Sequence, residues 1–315
     1  MSILVLGGSG AVGARIVALL REDGFEADSA GRNPDRNAVV LPLTAGGPLD
    51  DFRVRARAYS IIVNASGIED PRLARAAPHA TFLDISATAG YLRTLARFPT
   101  PGGLLLGIGL APGLTGILAD AVYRQDPGPL DIAILLGAGE HHGPAARAWT
   151  FAALGQRYPD PESGRAVLSY TRPRRFHDPG DEHTPARTRT LTRVRFADEE
   201  TLTARWETPV RTYLATESVW ANGALRVATR IPRILRPLLE RVEHLPGSER
   251  WWVAAVSASG HQIGASGWRQ SEATARITVA AIRRAEAAAG RALFAPDVLG
   301  LADLNQVPGL TLIRS

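Results

Sequence analysis

Residues 3–6 (Ile3, Leu4, Val5, Leu6) are consecutive apolar positions. That pattern suits a strand buried on both faces of a parallel sheet. A glycine-rich stretch follows at 7–13, and then Ile16, Leu19 and Leu20 recur at helical spacing until Asp23 and Gly24 stop the pattern. The rhythm continues. Strands are predicted at 26–30, 39–43, 59–64, 81–85 and 104–108, with helices at 71–77 and 90–97. Strands alternating with helices argue for a parallel sheet with helical crossovers. Further on, 130–136 reads as a strand and 144–154 as a helix opened by Pro144. Residues 188–195, 210–216, 250–257 and 262–268 alternate as strands of a mixed sheet. An alanine-rich helix is predicted from 271 to about 289.

Two stretches fit this rhythm less well. Residues 217–242 carry an apolar stripe (Trp220, Leu225, Val227, Ile231, Ile234, Leu235, Leu238, Leu239) beside Arg226, Arg230, Arg233 and Arg236, with Pro232 and Pro237 expected to interrupt it. Such a stripe more often faces the protein's own core, a dimer partner or a substrate cleft than a membrane surface. A homodimer without membrane association is expected. The histidines and acids of 176–183 lie around Pro179, Gly180 and Pro185, and the stretch is expected to be an exposed loop rather than a metal site.

The opening turn carries the clearest chemistry. Gly8, Gly10 and Gly13 match G-x-G-x-x-G between a strand and a helix. Glycines there permit a tight turn, let backbone N–H groups approach a pyrophosphate, and let helix pack close to strand. The helix N-terminus adds a partial positive charge toward the phosphates. Gly8, Ser9, Gly10, Ala11 and Val12 are therefore candidate cofactor contacts. The second strand should end near Gly31, with Arg32 just after it, where NAD-specific sites usually place an acid. Arg32 is suited to pair with a 2′-phosphate and stack on adenine, with Arg36 assisting, so NADP is expected and NAD is the lesser alternative. A strand ending earlier would put Asp28 there and favour NAD. At the ends of the fourth and fifth strands, Asn64, Ala65, Ser66, Ser86 and Ala87 are small or polar, as expected beside a cofactor.

Composition removes several alternatives. The chain has 315 residues, no cysteine, and 36 basic residues that are all arginine, against 31 acids. Thiolate chemistry, lysine bases and lysine Schiff bases are excluded, and zinc would have only histidine and carboxylate ligands. The arginines are dispersed without interleaved aromatics, so nucleic acid is not an expected partner. No apolar run is long enough to span a bilayer, and the N-terminus lacks the pattern of a signal peptide. A cytoplasmic location is expected. Glu140, His141 and His142 lie just ahead of a predicted helix N-terminus. Histidine is the natural proton donor near neutral pH, and His142 is favoured over His141. The alternative is that these residues cap or pack the turn. Adjacent histidines point to opposite sides of an extended chain, so no metal is expected.

The segments GGSGAVG (7–13), AGRNPDR (30–36), IIVNASG (61–67), FLDISA (82–87), GLAPGLTGILAD (109–120), GAGEHHGPAARAWT (137–150), GWRQSEATA (267–275) and FAPDVLGLADL (294–304) together resemble the saccharopine dehydrogenase-like family. The first two are shared with many nucleotide-binding proteins; GLAPGL and GEHHG are more particular. The resemblance implies an α/β chain with an N-terminal Rossmann doubly wound parallel sheet and an inserted α+β substrate and dimerisation domain. The Rossmann domain would span 1–115, the substrate domain 116–270, and a helix and tail at 271–315 would return to the first. It also implies NADP-dependent oxidoreduction, as reduction of an imine or carbonyl of a small substrate, such as an amino-acid derivative. A short-chain dehydrogenase is excluded, because its Tyr-x-x-x-Lys pair needs a lysine. An enoyl (C=C) reductase on the same scaffold, or a non-catalytic NADP-binding regulator, are the alternatives.

Overall fold

The N-terminal apolar run forms β1 (Ser2–Leu6), and Ile3, Leu4 and Val5 are inaccessible to solvent. In this computed structural model the chain is described over residues 1–140, 144–182, 184–239 and 247–314. It divides into two units, Met1–Leu114 with Ser271–Val307, and Thr115–Gln270 with Pro308–Ser315.

In the first unit β1 is joined by β2 (Glu26–Gly31), β3 (Val39–Val40), β4 (Ile61–Asn64), β5 (Thr81–Asp84), β6 (Leu104–Leu106) and, late in the chain, β15 (Ala292–Phe294). The sheet order is β15-β6-β5-β4-β1-β2-β3, and every pairing is parallel. This is the Rossmann order, with β15 added beyond β6, and the order reverses between β1 and β4. Two strands are shorter than their apolar patterns. β3 stops at Val40: Leu41 still donates to Gly31 O, but Pro42 has no N–H to continue the ladder. β6 ends at Leu106 because Gly107 turns the chain at φ +62°.

The second unit contains β7 (Leu130–Leu136), the β8–β9 hairpin (Arg157–Pro159, Ala166–Leu168), β10 (Thr171–Asp178), β11 (Arg187–Arg193), β12 (Val210–Thr216), β13 (Arg250–Ser257), β14 (Gln262–Trp268) and β16 (Leu310–Arg314). Its main sheet runs β10-β11-β12-β7-β13-β14-β16, with β12 and β7 parallel and the other pairs antiparallel. β11 pairs with β12 only at Thr192 and Arg193. The β10–β11 hairpin is therefore free to fold across the sheet, where Phe176 and Leu191 pack on Ala133, Leu135 and Trp252.

Three expectations are corrected here. The segment 176–183 is not simply an exposed loop: Phe176, His177 and Asp178 end β10, and Phe176 and Asp178 are buried. The flanking arginines hide this strand from a periodicity reading. The tail does not return whole to the first unit. Residues 308–314 leave it, and Leu310–Arg314 pairs with the open edge of β14. Gly267 permits this, because a Cβ there would lie 2.5 Å from Gly309 O. The apolar stripe breaks at Pro232 as expected, into the helices Val219–Ala228 and Pro232–Leu239, but Pro237 does not interrupt it: it lies inside the second helix.

What holds the hairpin down is a buried ion pair. Arg250 is 1% exposed and its two Nη atoms donate to the two carboxylate oxygens of Asp178, 0% exposed, at 2.9 Å each. Its Nε donates to Asp181 at 2.7 Å. Burial pushes the Asp178 carboxyl up, but the Arg250 hydrogen bonds and charge outweigh it and hold the group below its usual range. A depressed carboxyl stabilises the fold above its unfolded pKa, and that contribution is lost as pH falls toward and below about 4. Arg250→Ala leaves the buried Asp178 charge with only the longer contact from Arg189 Nε, at 3.3 Å, to answer it. We expect it to lower unfolding stability by roughly 3–5 kcal/mol, measured by urea denaturation at neutral pH, and the deficit to shrink as the medium is acidified.

Candidate nucleotide-binding site

The turn after β1 is built from backbone packed on backbone. Gly7 has φ +75°, and a Cβ there would sit 2.6 Å from Ala65 O and from the Ser66 Cα. At Gly8 a Cβ would be 2.6 Å from the Ser29 Cα, and at Gly13 it would overlap Gly7 O. Any side chain at these positions would force the strand, turn and helix apart. Gly7 N–H donates to Ala30 O and Gly10 N–H to Gly7 O, at 2.8 and 2.9 Å. The helix Ala11–Glu22 starts with no side-chain cap, and Ala14 is the first residue to donate back, to Gly10 O. The N–H groups of Ala11, Val12 and Gly13 therefore have no acceptor among the described residues. A row of free donors at a helix N-terminus suits phosphate oxygens. The candidates Gly8, Ser9, Gly10, Ala11 and Val12 all lie in this turn.

β2 ends at Gly31. A Cβ at Gly31 would meet the buried Asn37 amide at 2.8 Å, and Asn37 Nδ2 donates to Asn33 O at 2.8 Å. This braces the 33–37 turn under the strand end. Arg32 follows immediately, exposed and with no ion pair among the described residues. Arg36 Nη2 donates to Ser9 O at 2.9 Å, which brings a second guanidinium onto the glycine turn. Asp28 lies mid-strand, three residues short of the strand end. Its carboxylate accepts the Tyr59 hydroxyl at 2.8 Å. Burial and the adjacent Asp28 charge push the Tyr59 hydroxyl up to about 12, so it remains a donor across the physiological range. Asp28 is therefore occupied, and placed roughly 10 Å before the point where β2 ends.

At the other side of the strand reversal, Asn64 and Asp84 end β4 and β5 side by side. Both are buried. Asp84 accepts from Asn64 Nδ2 (2.7 Å), Tyr91 OH (2.8 Å) and Ser86 N–H (2.7 Å). Asn64 Oδ1 in turn accepts from Ser66 Oγ at 2.7 Å. The Asn64 side chain is thus committed inward, while the partly exposed Ala65–Ser66 and Ser86–Ala87 loops are what it positions. Asp84 and Tyr91 are the residues sequence reasoning missed. The available signal was an acid ending an otherwise apolar strand in FLDISA.

In the second unit, Glu140 Oε2 accepts the Gln270 N–H at 2.6 Å, at the start of the helix Gln270–Ile282. His141 and His142 lie outside the described residues. A cavity of about 320 Å³ in that unit is lined partly by Arg193, Arg211 and Asp160. Arg193 pairs with Asp160 and Glu199, and Arg211 with Glu162 and Asp131, so these charges are answered internally. Among the described residues no group of His, Asp and Glu is placed to hold a metal.

Solved structures similar to the chain include a mutant of meso-dapdh from Clostridium tetani E88 with DAP. It is 11% identical, with 96% of this chain and 95% of that one covered and a TM-score of 0.49. An amine dehydrogenase from Mycobacterium smegmatis is also 11% identical, covered over 95% and 96%, at 0.48. A probable aspartate-semialdehyde dehydrogenase from Pseudomonas aeruginosa is 13% identical, covered over 81% and 73%, at 0.36. No family model matches the chain, and neither does any curated relative. Similarity at this level carries no conclusion about cofactor or substrate; the Rossmann assignment rests on the strand order itself.

Burial is the main influence on Asp84, and it raises the carboxyl despite three donors. A raised carboxyl contributes stability below its unfolded pKa that is lost as pH rises through the folded value. Asp84→Asn removes this titration. The stability advantage of the parent over Asp84→Asn should therefore be greatest near pH 4 and shrink toward neutrality, as read by paired urea unfolding curves.

Proposed function

We propose that the chain is an NADP-dependent oxidoreductase of the saccharopine dehydrogenase-like type, reducing an imine or carbonyl of a small, amino-acid-derived substrate. One observation carries the cofactor choice. β2 ends in Gly31 followed by an exposed, unpaired Arg32, while Asp28 is set back in the strand and bonded to Tyr59. A 2′-phosphate needs a guanidinium at that end, whereas a free ribose 2′-hydroxyl needs a carboxylate. The residues fit the dinucleotide in other respects. The uncapped helix N-terminus offers N–H donors to the pyrophosphate, and Arg36 adds charge beside it.

When bound, the reduced dinucleotide supplies a hydride to an electrophilic carbon. The chain's own residues must then bind, orient and protonate. The Asn64–Asp84–Tyr91 network fixes the Ala65–Ser66 and Ser86–Ala87 loops beside the strand reversal, where the nicotinamide end is expected. The heteroatom of the reduced bond takes a proton from the Glu140–His142 loop, with His142 in the foremost role. Glu140 itself engages its carboxylate with the Gln270 backbone N–H.

Tryptophan-quenching titrations test the cofactor. NADPH should bind at least about tenfold more tightly than NADH, and Arg32→Ala should remove most of that preference by weakening NADPH far more than NADH, which loses only the stacking on adenine. Tighter NADH binding would sink the assignment. NADPH consumption against keto acids with ammonia, preformed imines and enones tests the chemistry. His142→Ala should lower turnover by about 10²-fold or more with little change in NADPH affinity. Activity confined to enones would favour the C=C reductase reading instead.

A further inference from the structure

The two helices Val219–Ala228 and Pro232–Leu239 bury almost nothing. Ala228 is the one buried residue in the first, and the second has none. Among the described residues, six of the eleven exposed large apolar side chains lie here: Val219, Trp220, Val227, Ile231, Ile234 and Leu238. Trp220 is 90% exposed and Val219 81%. Trp220 and Val227 lie seven residues apart on the first helix, Ile234 and Leu238 four apart on the second, and Ile231 lies in the turn between them, so each helix carries its own apolar stripe. Arg226, Arg230, Arg233 and Arg236 flank it, and no acidic residue occurs between Glu217 and Glu240.

The pair is anchored from behind rather than loose. Ser218 Oγ caps the first helix by accepting from Ala221 N–H at 3.2 Å, and the Asn222 amide clamps Thr216. Between the helices, Thr229 Oγ1 donates to Ser169 O at 2.9 Å and accepts from Gly155 N–H at 3.0 Å. The apolar and cationic side chains are thus presented outward on a fixed base.

We infer that this face docks on a bilayer surface carrying acidic lipid headgroups. Large apolar side chains with a tryptophan, bordered by arginine and free of acids, match the apolar boundary and the negative potential of such a surface. A second copy of the chain fits less well. A two-fold contact sets the same patch against itself, which brings Arg226, Arg230 and Arg233 against their own copies, with no acid between residues 218 and 239 to answer them. No described helix is long and apolar enough to cross a membrane, so the contact is peripheral. The inference does not depend on the nucleotide-binding reading.

Co-sedimentation of the full chain tests it. One vesicle set is phosphatidylcholine alone, and the other contains roughly a third phosphatidylglycerol. The protein should sediment with the anionic vesicles and not with the neutral ones, and should release as salt is raised. The triple variant Arg226→Gln, Arg230→Gln, Arg233→Gln should lose about fivefold in affinity per arginine. Trp220→Ser should also weaken binding and abolish most of the blue shift in tryptophan emission on vesicle addition. Trp220, Arg230 and Arg233 are exposed and Arg226 is half-buried, and both variants should keep the parent unfolding temperature. Three results would overturn the inference: no vesicle binding, equal binding to both compositions, or a concentration-dependent dimer that Trp220→Ser splits.

Discussion

The first unit depends on a contact that only glycine permits. At Gly7, Gly8 and Gly13 the turn after β1 approaches β2, the loop after β4, and itself so closely that no Cβ fits. That closeness brings the end of β1 against Ala65 and Ser66, and so sets the gap at which the strand order reverses. Widen it by one methyl group and the uncapped helix N-terminus, the Ala65–Ser66 loop and the end of β2 lose their common geometry. The buried Asn64–Asp84–Tyr91 network then serves the neighbouring strands in the way the glycines serve the first, by fixing loop backbones from beneath.

In the second unit the organising force is electrostatic. Every cation fixed by a side-chain charge at neutral pH is arginine, and two of those among the described residues, Arg193 and Arg250, are buried. A planar fork can satisfy two carboxylate oxygens at once and is less strongly hydrated than an ammonium, which makes burial tolerable. Arg250 grips Asp178 this way, and Arg193 divides itself between Asp160 and Glu199. Such pairs contribute directional specificity more than net stability, because desolvation cancels much of the attraction. Here the direction matters: Arg250 lies on β13 and Asp178 on β10, with three strands between them in the sheet order, and their pairing folds a hairpin across the sheet.

The glycine turn and the end of β2 at Gly31 were readable because the residues act locally. A glycine pattern between an apolar strand and a helix, or an arginine just after a strand, has one simple placement. Asp178 was not readable. Its neighbours Arg174, Arg175 and His177 look like a solvated charge run, and only a partner seventy-two residues away makes the acid a core residue. Asp84 was hidden in part for a similar reason: Ser86 and Tyr91 are near it in the chain, but its third donor, Asn64, comes from the neighbouring strand twenty residues back. The tail misled because Leu310–Arg314 has an apolar character compatible with either sheet, and the open edge of β14 decides between them.

That tail has a consequence for how the molecule is made. The chain passes from one unit to the other three times, after Leu114, Gln270 and Val307. During synthesis the first six parallel strands emerge early, but β15 pairs with β6 only after the whole of 115–270 has been translated. The second sheet waits for β16, which follows β15 in the chain and covers the β14 edge. Neither sheet is complete when its first strands have been made, and until its late strand arrives each exposes an edge that strand will cover. Assembly of the two sheets is linked through the order of the chain rather than left to independent folding of two modules.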